Sequence, residues 1–312
     1  MSVLHPRLQA LQALLADAPL TRIIDPDISA KGLELWIKRD DLLHPVISGN
    51  KWRKLKYILN HALYADADTI VSMGGAYSNH LHALAFAGKT LGIKTVGYIR
   101  GERPAQLNPT LNDLQEWGME LRFVSRGDYR ILRAYKTHDS LPGLQRGQYW
   151  LPEGGANGLA LQGVAEIVAE IDIDYDVLAV ACGTGTTAAG LSAAASNSCG
   201  VLGIAALKGG AFLYDDIQRI LAEQGVETAA DWQIILDYHC GGFAKITPAL
   251  LDFISTFQSR QGIALEPIYT GKLLFAVYDL IRQDYFSAGT RIVAVHTGGL
   301  QGKRSATAAN SA

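Results

Sequence analysis

Residues 177–195 read VLAVACGTGTTAAGLSAAA: an apolar run, a loop of glycine and threonine, and an alanine-rich stretch. This order predicts a buried strand that ends in a loop leading directly into a helix. In open α/β sheets, ligands bind at the carboxyl ends of strands, where the N–H groups of the following helix are free. The amides of residues 183–187, with three threonine hydroxyl groups among them, favour binding of a phosphate monoester.

The same loop also matches the Gly-x-Gly-x-x-Ala pattern of dinucleotide-binding proteins through Ala188. That class of loop is followed by an acidic residue about 20 positions later, at the end of the next strand. Residues 205–208 read AALK and contain no acid. A nicotinamide-dependent oxidoreductase is therefore one alternative, and a purely structural glycine turn is another.

Elsewhere in the chain, short apolar runs alternate with longer helical patterns. The other predicted strands lie at residues 33–38, 69–72, 95–99, 202–206, 233–236 and 291–296. The predicted helices lie at residues 50–64, 80–91, 160–170, 188–195, 213–223 and 272–281. This rhythm predicts an α/β fold with parallel-rich sheets flanked by helices, in three α/β/α layers.

The chain of 312 residues has 28 basic and 30 acidic side chains. Without a basic excess or a run approaching the ~18 apolar residues of a membrane span, we expect neither a nucleic acid nor a membrane as partner. The N-terminus lacks an apolar signal core, and Cys182, Cys199 and Cys240 show no close pair spacing. These features predict reduced thiols, a cytoplasmic location and no metal site.

Residues 48–55 read SGNKWRKL and place two lysines just after a glycine turn. Lys51 and Lys54 are three positions apart, so on a helix both ammonium groups can face the same site. One lysine could form an imine with an aldehyde while the other binds a phosphate, which is the pairing that a pyridoxal 5′-phosphate (PLP) enzyme needs. A solvated helix face is the alternative interpretation.

Three further segments carry polar groups where strands end or helices begin. They read GGAYSNH at residues 74–80, EPIYTGK at residues 266–272 and HTGG at residues 296–299. Taken singly, each is also explained by helix capping, by packing of a tyrosine or by an ordinary turn. His80 and His82 are two positions apart and diverge on a helix, which argues against a metal site there.

Together and in this order, the five motifs resemble those of the D-cysteine desulfhydrase / 1-aminocyclopropane-1-carboxylate deaminase family of PLP enzymes. The resemblance covers about residues 20–299. It implies the two-domain PLP fold type II, similar to the β subunit of tryptophan synthase. A large cofactor domain would comprise residues 1–48 and 161–312, with residues 49–160 as a small inserted domain. The site would lie in the cleft between the domains, and the protein would be a homodimer.

The resemblance also implies a role for individual residues. Lys51 would be the Schiff-base lysine, and the catalytic residues would be Lys51, Ser78 and Tyr269. The residues implied to bind the small amino-acid substrate are Ser78, Asn79, His80 and Tyr269. Those implied to bind PLP are Lys51, Lys54, Asn79, Gly183, Thr184, Gly185, Thr186, Thr187 and Thr270.

The implied reaction is α,β-elimination from a small D-amino acid, D-cysteine first, to pyruvate, sulfide and ammonia. The neutral hydroxyl of Thr270 favours this reaction, because a carboxylate there would keep the pyridine nitrogen protonated, as ring-opening deaminases of the family do. The alternatives are a 1-aminocyclopropane-1-carboxylate deaminase, a lyase for another β-substituted amino acid, and a non-catalytic PLP-binding protein. Two departures from the family bear on the substrate: Phe243 and Ala244 replace the end of a Gly-Tyr-Gly segment, and Glu266 replaces Asp.

Overall fold

The computed structural model describes residues 3–228 and 230–302, and its strands form two sheets. The larger sheet has the order β1-β2-β10-β7-β8-β9, and the smaller has the order β5-β4-β3-β6. In the larger sheet the strands are β1 (Leu20–Ile23), β2 (Glu34–Lys38), β7 (Val177–Cys182), β8 (Gly200–Ala205), β9 (Asp231–Ile235) and β10 (Arg291–Val295). In the smaller sheet they are β3 (Thr69–Gly74), β4 (Lys94–Arg100), β5 (Met119–Val124) and β6 (Gln148–Leu151).

Eleven α-helices lie within the described residues. They are α1 (Pro6–Gln12), α2 (Pro26–Ala30), α3 (Asn50–Tyr64), α4 (Asn79–Leu91), α5 (Pro109–Glu116), α6 (Arg126–Leu132), α7 (Ala160–Ala169), α8 (Thr186–Ala194), α9 (Phe212–Glu223), α10 (Pro248–Gln261) and α11 (Thr270–Arg282). Within residues 3–228 and 230–302, no helix is long and apolar enough to cross a membrane.

The larger sheet is covered by helices on both faces because its strands are apolar on both faces. In β7, Leu178 and Val180 pack against α7, α8 and α9, whereas Ala179 and Ala181 pack against α10 and α11. Alternate residues of a strand point to opposite faces, so an uninterrupted apolar run needs a helix layer on each side. This arrangement confirms the predicted parallel-rich α/β class in three layers.

Several elements were not predicted from the sequence. β1 pairs with β2 in the antiparallel direction and forms one edge of the larger sheet, whereas all other paired strands are parallel. The other missed elements are β5, β6, α1, α2, α5, α6 and α10. Most have eight residues or fewer, which is too short for a clear periodic pattern. The exception is α10, whose capping Thr247 and Gly262 were an available signal.

The smaller sheet is formed by one continuous segment of the chain, from Thr69 to Leu151. The strands of the larger sheet come from before and after that segment. This chain path supports the proposed inserted domain, whose boundaries at residues 48 and 160 stay a prediction. α3 packs closely on α7, where a Cβ at Gly163 would lie 1.8 Å from the carbonyl oxygen of Arg53.

A partly buried ionic network ties α3 to α7 and to the segment after β2. The guanidinium of Arg53 donates to both carboxylate oxygens of Asp40, at 3.0 and 3.1 Å, and to Glu170 at 2.6 Å. Lys56 donates to Glu166 at 2.6 Å from the same helix. Because buried charges are stable only when paired, this network determines where α3 and its first turn lie.

Candidate active site

The turn before Lys51 is packed directly against the segment that follows β10. Gly49 has a φ of 63° immediately before α3, and a Cβ there would lie 1.9 Å from the carbonyl oxygen of Thr297. A Cβ at Gly298 would in turn lie 2.5 Å from Oγ of Ser48. Only glycine allows so close an approach of the two backbones. The Ser-Gly-Asn-Lys and His-Thr-Gly-Gly motifs therefore meet in space.

Lys51 is held in the first turn of α3 by a short chain of hydrogen bonds. Its Nζ donates to Oδ1 of Asn50 at 2.7 Å, and Nδ2 of Asn50 donates to Oγ1 of Thr187 at 2.9 Å. Burial lowers the pKa of Lys51 to about 8, although the carboxylate of Glu266 acts to raise it. A far larger fraction of this amine is therefore neutral near pH 7 than for an exposed lysine, as a nucleophile requires.

Lys54 lies buried on the same side of α3, with Nζ 3.4 Å from the carbonyl oxygen of Gly154. Burial, and secondly the charge of Lys51, hold its pKa well below the usual value. Within the described parts of the chain, it has no carboxylate within 4.0 Å. A buried ammonium without a counter-ion favours binding of an anion, because the anion would restore its charged form.

The glycine–threonine loop faces the same space. Gly185, with a φ of 72°, precedes α8, and the first intrahelical bond runs from the amide of Ala189 to its carbonyl. The amides of the first turn thus have no intrahelical acceptor and can bind an anion. Oγ1 of Thr184 lies 3.0 Å from Oγ1 of Thr186, and a Cβ at Gly154 would lie 3.0 Å from Thr184. Lys54 and the loop therefore share Gly154 as a neighbour.

The first turn of α4 offers a second set of free amides. Ser78 caps this helix, and its Oγ accepts a hydrogen bond from the amide of Leu81 at 3.2 Å. Oδ1 of Asn79 accepts from Nε2 of Gln301 at 3.1 Å, and a Cβ at Gly299 would lie 2.8 Å from Nδ2 of Asn79. Asn79 therefore borders the segment after β10, which also contacts the turn before Lys51. A carboxylate is the natural ligand of such a helix start.

The side chain of His80 does not fit its expected role as a partner of the substrate carboxylate. Ser72 Oγ donates to the carbonyl of Leu151 at 2.7 Å, so it must accept from Nε2 of His80 at 2.9 Å. Nδ1 then carries no proton, and it is buried without a partner among the described residues. A bare nitrogen acceptor repels a carboxylate, so only the backbone amide of His80 could take that role.

Glu266, noted in the sequence only as a departure from the family, lies in the candidate site. Its buried carboxylate accepts from the amides of Ile268, Tyr269 and Thr270 at 2.8, 2.8 and 2.6 Å. The hydroxyl of Thr270 also donates to Oε1 of Glu266 at 3.2 Å, so its proton is directed at this carboxylate. Burial raises the pKa of Glu266 against these hydrogen bonds. The available signal in the sequence was an acidic residue four positions before Thr270, the first residue of α11, because a carboxylate is stabilised near a helix start.

Tyr269 lies against the glycine–threonine loop of residues 183–187. A Cβ at Gly183 would be 3.1 Å from Cε1 of Tyr269, so the glycine makes room for the ring. On its other side the ring contacts Phe243, at a centroid distance of 6.0 Å and an interplanar angle of 64°. Burial, and secondly the charge of Glu266, raise the pKa of Tyr269. Its hydroxyl therefore stays protonated and can donate a hydrogen bond.

All five motifs thus converge on one region at the carboxyl ends of β3, β7 and β10. The region combines an amine that loses its proton readily, a buried ammonium without a counter-ion and two helix starts with free amides. These groups fit an aldehyde that carries a phosphate monoester and an amino acid that carries a carboxylate. In the portion of the chain that the structure describes, no group of three or more His, Cys, Asp or Glu side chains could bind a metal ion.

Comparison with known proteins identifies the class that this fold and site define. Residues 14–298 match the family model described as "Pyridoxal-phosphate dependent enzyme". The chain is 30% identical to a crystal structure titled as an ACC deaminase homologue, with a TM-score of 0.79 and coverage of 96% of this chain and 97% of that one. The chain belongs to the PLP-dependent enzyme family, which confirms the predicted fold type II and PLP as cofactor.

Relatives carry the names of two activities. A Pyrococcus horikoshii protein named "Putative 1-aminocyclopropane-1-carboxylate deaminase" is 32% identical over 320 residues, covering 96% of each chain. An Arabidopsis thaliana protein named as bifunctional D-cysteine desulfhydrase/1-aminocyclopropane-1-carboxylate deaminase is 30% identical over 297 residues, covering 87% of this chain and 73% of that protein. A D-cysteine desulfhydrase of Salmonella newport is 27% identical over 316 residues, covering 94% of each chain.

Proposed function

We propose that this chain is a PLP-dependent lyase that converts D-cysteine and water into pyruvate, sulfide and ammonia. The observation that carries the proposal is the hydroxyl of Thr270 at the start of α11. The neighbouring carboxylate of Glu266 accepts hydrogen bonds from three amides and from this hydroxyl. A neutral group at position 270 suits elimination of a good leaving group better than ring opening, which needs a stronger electron sink.

In this proposal PLP supplies the electron sink, and the protein positions the reacting groups and moves the proton. Lys51 would hold the aldehyde covalently until the substrate amine displaces it, and the freed Lys51 amine would then take the proton from Cα of the substrate. Its lowered pKa makes the neutral amine available for both tasks. Lys54 and the amides of residues 183–187 would bind the phosphate, and the hydroxyl of Thr270, turned away from Glu266, would donate to the unprotonated pyridine nitrogen.

The substrate carboxylate would bind at the start of α4. Ser78 Oγ already accepts from Leu81, so its own proton is free to be donated to the carboxylate. The amides of Asn79 and His80 supply further donors. Tyr269, held protonated by burial, would donate to a polar atom of the substrate. The proposal includes a homodimer in the cytoplasm, and light scattering of the purified protein tests the dimer.

A second candidate is a 1-aminocyclopropane-1-carboxylate deaminase, because relatives at 30 to 32% identity carry that name. The buried carboxylate of Glu266 is the structural feature in its favour. It raises the pKa of Lys51 and so lies within electrostatic range of the site. For this reaction it would have to act on the ring nitrogen through the Thr270 hydroxyl.

One assay separates these candidates. PLP-loaded protein is incubated with D-cysteine, L-cysteine or 1-aminocyclopropane-1-carboxylate, and sulfide, pyruvate and 2-oxobutanoate are measured. We expect sulfide and pyruvate from D-cysteine only, abolished in Lys51→Ala and unchanged in Lys89→Ala, an exposed lysine on α4. 2-Oxobutanoate without sulfide would establish the second candidate. Bound cofactor with no product from any substrate would overturn both and leave a non-catalytic PLP-binding protein.

A further inference from the structure

A further buried lysine lies one helical turn beyond Tyr269. Lys272 is 0% exposed, and its Nζ donates to three backbone carbonyls: Ala206 at 3.0 Å, His239 at 2.8 Å and Gly242 at 3.0 Å. An ammonium has three N–H groups, and each therefore has an acceptor. Among the residues that the structure describes, no carboxylate lies within 4.0 Å of this group. Lys272 is thus neither a surface charge nor half of an ion pair.

The three carbonyls connect separate parts of the fold. Ala206 follows β8 in the larger sheet, whereas His239 and Gly242 belong to the segment of residues 239–245, here called the Phe243 loop. Among the described residues, the other hydrogen bonds of this loop are local: from the Gly242 amide to His239, from the Lys245 amide to Gly242, from the Gly241 amide to the His239 ring and from the Cys240 thiol to Tyr238. Lys272 therefore provides the hydrogen bonds that tie the Phe243 loop to α11 and to the sheet.

The backbone of the Phe243 loop needs such support. Cys240 and Ala244 both have a φ of 55°, in the left-handed region that residues with a Cβ disfavour. Gly241 and Gly242, between them, also have positive φ values of 94° and 142°. A run of this kind persists only where surrounding contacts over-determine it.

Held in this way, the Phe243 loop places one aromatic ring beside the candidate active site. Phe243 is 51% exposed, yet its ring contacts that of Tyr269 at 6.0 Å. Tyr269 lies against Gly183 in the glycine–threonine loop, and it is three residues before Lys272 on the chain. The start of α11 therefore contacts the Phe243 loop twice, through the buried ammonium of Lys272 and through the ring of the capping Tyr269.

We propose that Lys272 is a positioning residue that holds the Phe243 loop against Tyr269, and that the ring of Phe243 forms an apolar wall selecting the side chain of the substrate. The ring offers no hydrogen-bonding group, so a small apolar or thiol side chain packs against it, whereas a hydroxyl side chain loses hydrogen bonds to water on that face. D-Cysteine and D-alanine would therefore bind better than D-serine. This inference rests on the proposed binding of substrate beside Tyr269.

The test uses PLP-loaded, full-length protein and two readouts. The first is the change in cofactor absorbance on titration with D-alanine, which has no β-leaving group, and with D-serine. The second is the rate of tryptic cleavage after Lys245, an exposed residue of the loop. The variants are Lys272→Met, which removes the charge at similar length, and Phe243→Ala. Leu114→Ala, a buried change on α5, controls for general loss of stability.

We expect Lys272→Met to raise the half-saturating D-alanine concentration about tenfold, with bound cofactor retained and cleavage at Lys245 accelerated. Phe243→Ala should raise the half-saturating D-alanine concentration similarly. It should also reduce the difference between the half-saturating concentrations of D-alanine and D-serine. Unchanged half-saturation in Lys272→Met, or an equal rise in Leu114→Ala, overturns the inference. If Lys272→Met does not fold, the test rests on Phe243→Ala. Half-saturating concentrations of D-alanine and D-serine equal to those of the wild type then overturn the inference. The titrations need no turnover, so failure of the wild type to act on D-cysteine refutes only the proposed substrate.

Discussion

At the scale of single residues, the site is defined by protonation states that burial controls. Lys51 and Lys54 lose part of their preference for the charged form, and His80 loses nearly all of it. The cause is the same in each case, since a charged group loses its hydration on entering the protein. These residues make the candidate site reactive at the expense of stability.

His80 gives a prediction about stability and pH. Burial, and secondly the charges of Lys51 and Lys54, lower its pKa from 6.5 to about 3. Between these values the unfolded chain binds a proton that the folded chain does not, so acidification favours unfolding. From His80 alone we expect a loss of about 2 kcal/mol between pH 7.5 and pH 5. Urea denaturation of the apo form at the two pH values measures it.

The matched variant is His80→Gln, which cannot take up a proton. Its loss of stability between pH 7.5 and pH 5 should be about 2 kcal/mol smaller than that of the wild type, even if its stability at pH 7.5 is lower. An identical pH dependence in His80→Gln and the wild type would contradict the assignment of a neutral buried imidazole.

At the scale of elements, the start of α3 is set by a contact between two loops. Gly49 meets the backbone of Thr297, and Arg53 one turn later is bonded to Asp40 and Glu170. Lys51 lies between these two restraints. The direction of its side chain thus depends on backbone packing at one end and on buried charge at the other.

Gly49→Ala tests the first restraint. The added Cβ would combine a backbone conformation that is essentially restricted to glycine, with φ 63° and ψ −149°, with an overlap that only backbone movement can relieve. We expect a total loss of about 3 kcal/mol or more and a marked fall in PLP affinity, because α3 must shift. Gly262→Ala is the control for an alanine at positive φ, with φ 67° and ψ 10° in the left-handed region and no atom within 4 Å of the new Cβ. Equal losses of stability and PLP affinity in the two variants would contradict a restraint that is specific to Gly49.

At the scale of the whole molecule, the candidate site draws on both sheets. The loop after β3 comes from the smaller sheet, and the loops after β7 and β10 come from the larger one. Parallel strands carry their carboxyl ends to one edge, so each sheet presents its loops together. A ligand in this region would therefore contact loops of both sheets at once.

Removal of the cofactor should show this coupling. At a PLP concentration about 100-fold above its dissociation constant, binding to the folded state contributes about 2.7 kcal/mol, which raises the melting temperature by several degrees. Lys54→Met should reduce the difference between PLP-loaded and apo protein, whereas Lys89→Met should leave it unchanged. Differential scanning calorimetry measures both. A wild-type melting temperature that does not respond to PLP would contradict a shared site.

Much of this organisation follows from local sequence patterns. The alternation of short apolar runs with longer helical patterns predicted the class of fold, and the spacing of Lys51 and Lys54 predicted that both can face one site. Such features depend on neighbours within a turn or a strand. The antiparallel pairing of β1 was not predicted, because its four residues have no local signal for direction.

What only the tertiary structure decided are the partners and the charge states of the site. Asn50 and Thr187 are 137 residues apart, and Lys272 and Ala206 are 66 residues apart, yet each pair is hydrogen-bonded. The neutral form of His80 likewise depends on Ser72 and Leu151, on two different strands of the smaller sheet. The sequence by itself determined which chemical groups are present and how strands and helices alternate along the chain, because periodicity depends on near neighbours. Burial and long-range pairing are properties of the packed molecule, and they set the pKa of Lys51, the role of Glu266 and the place of the Phe243 loop.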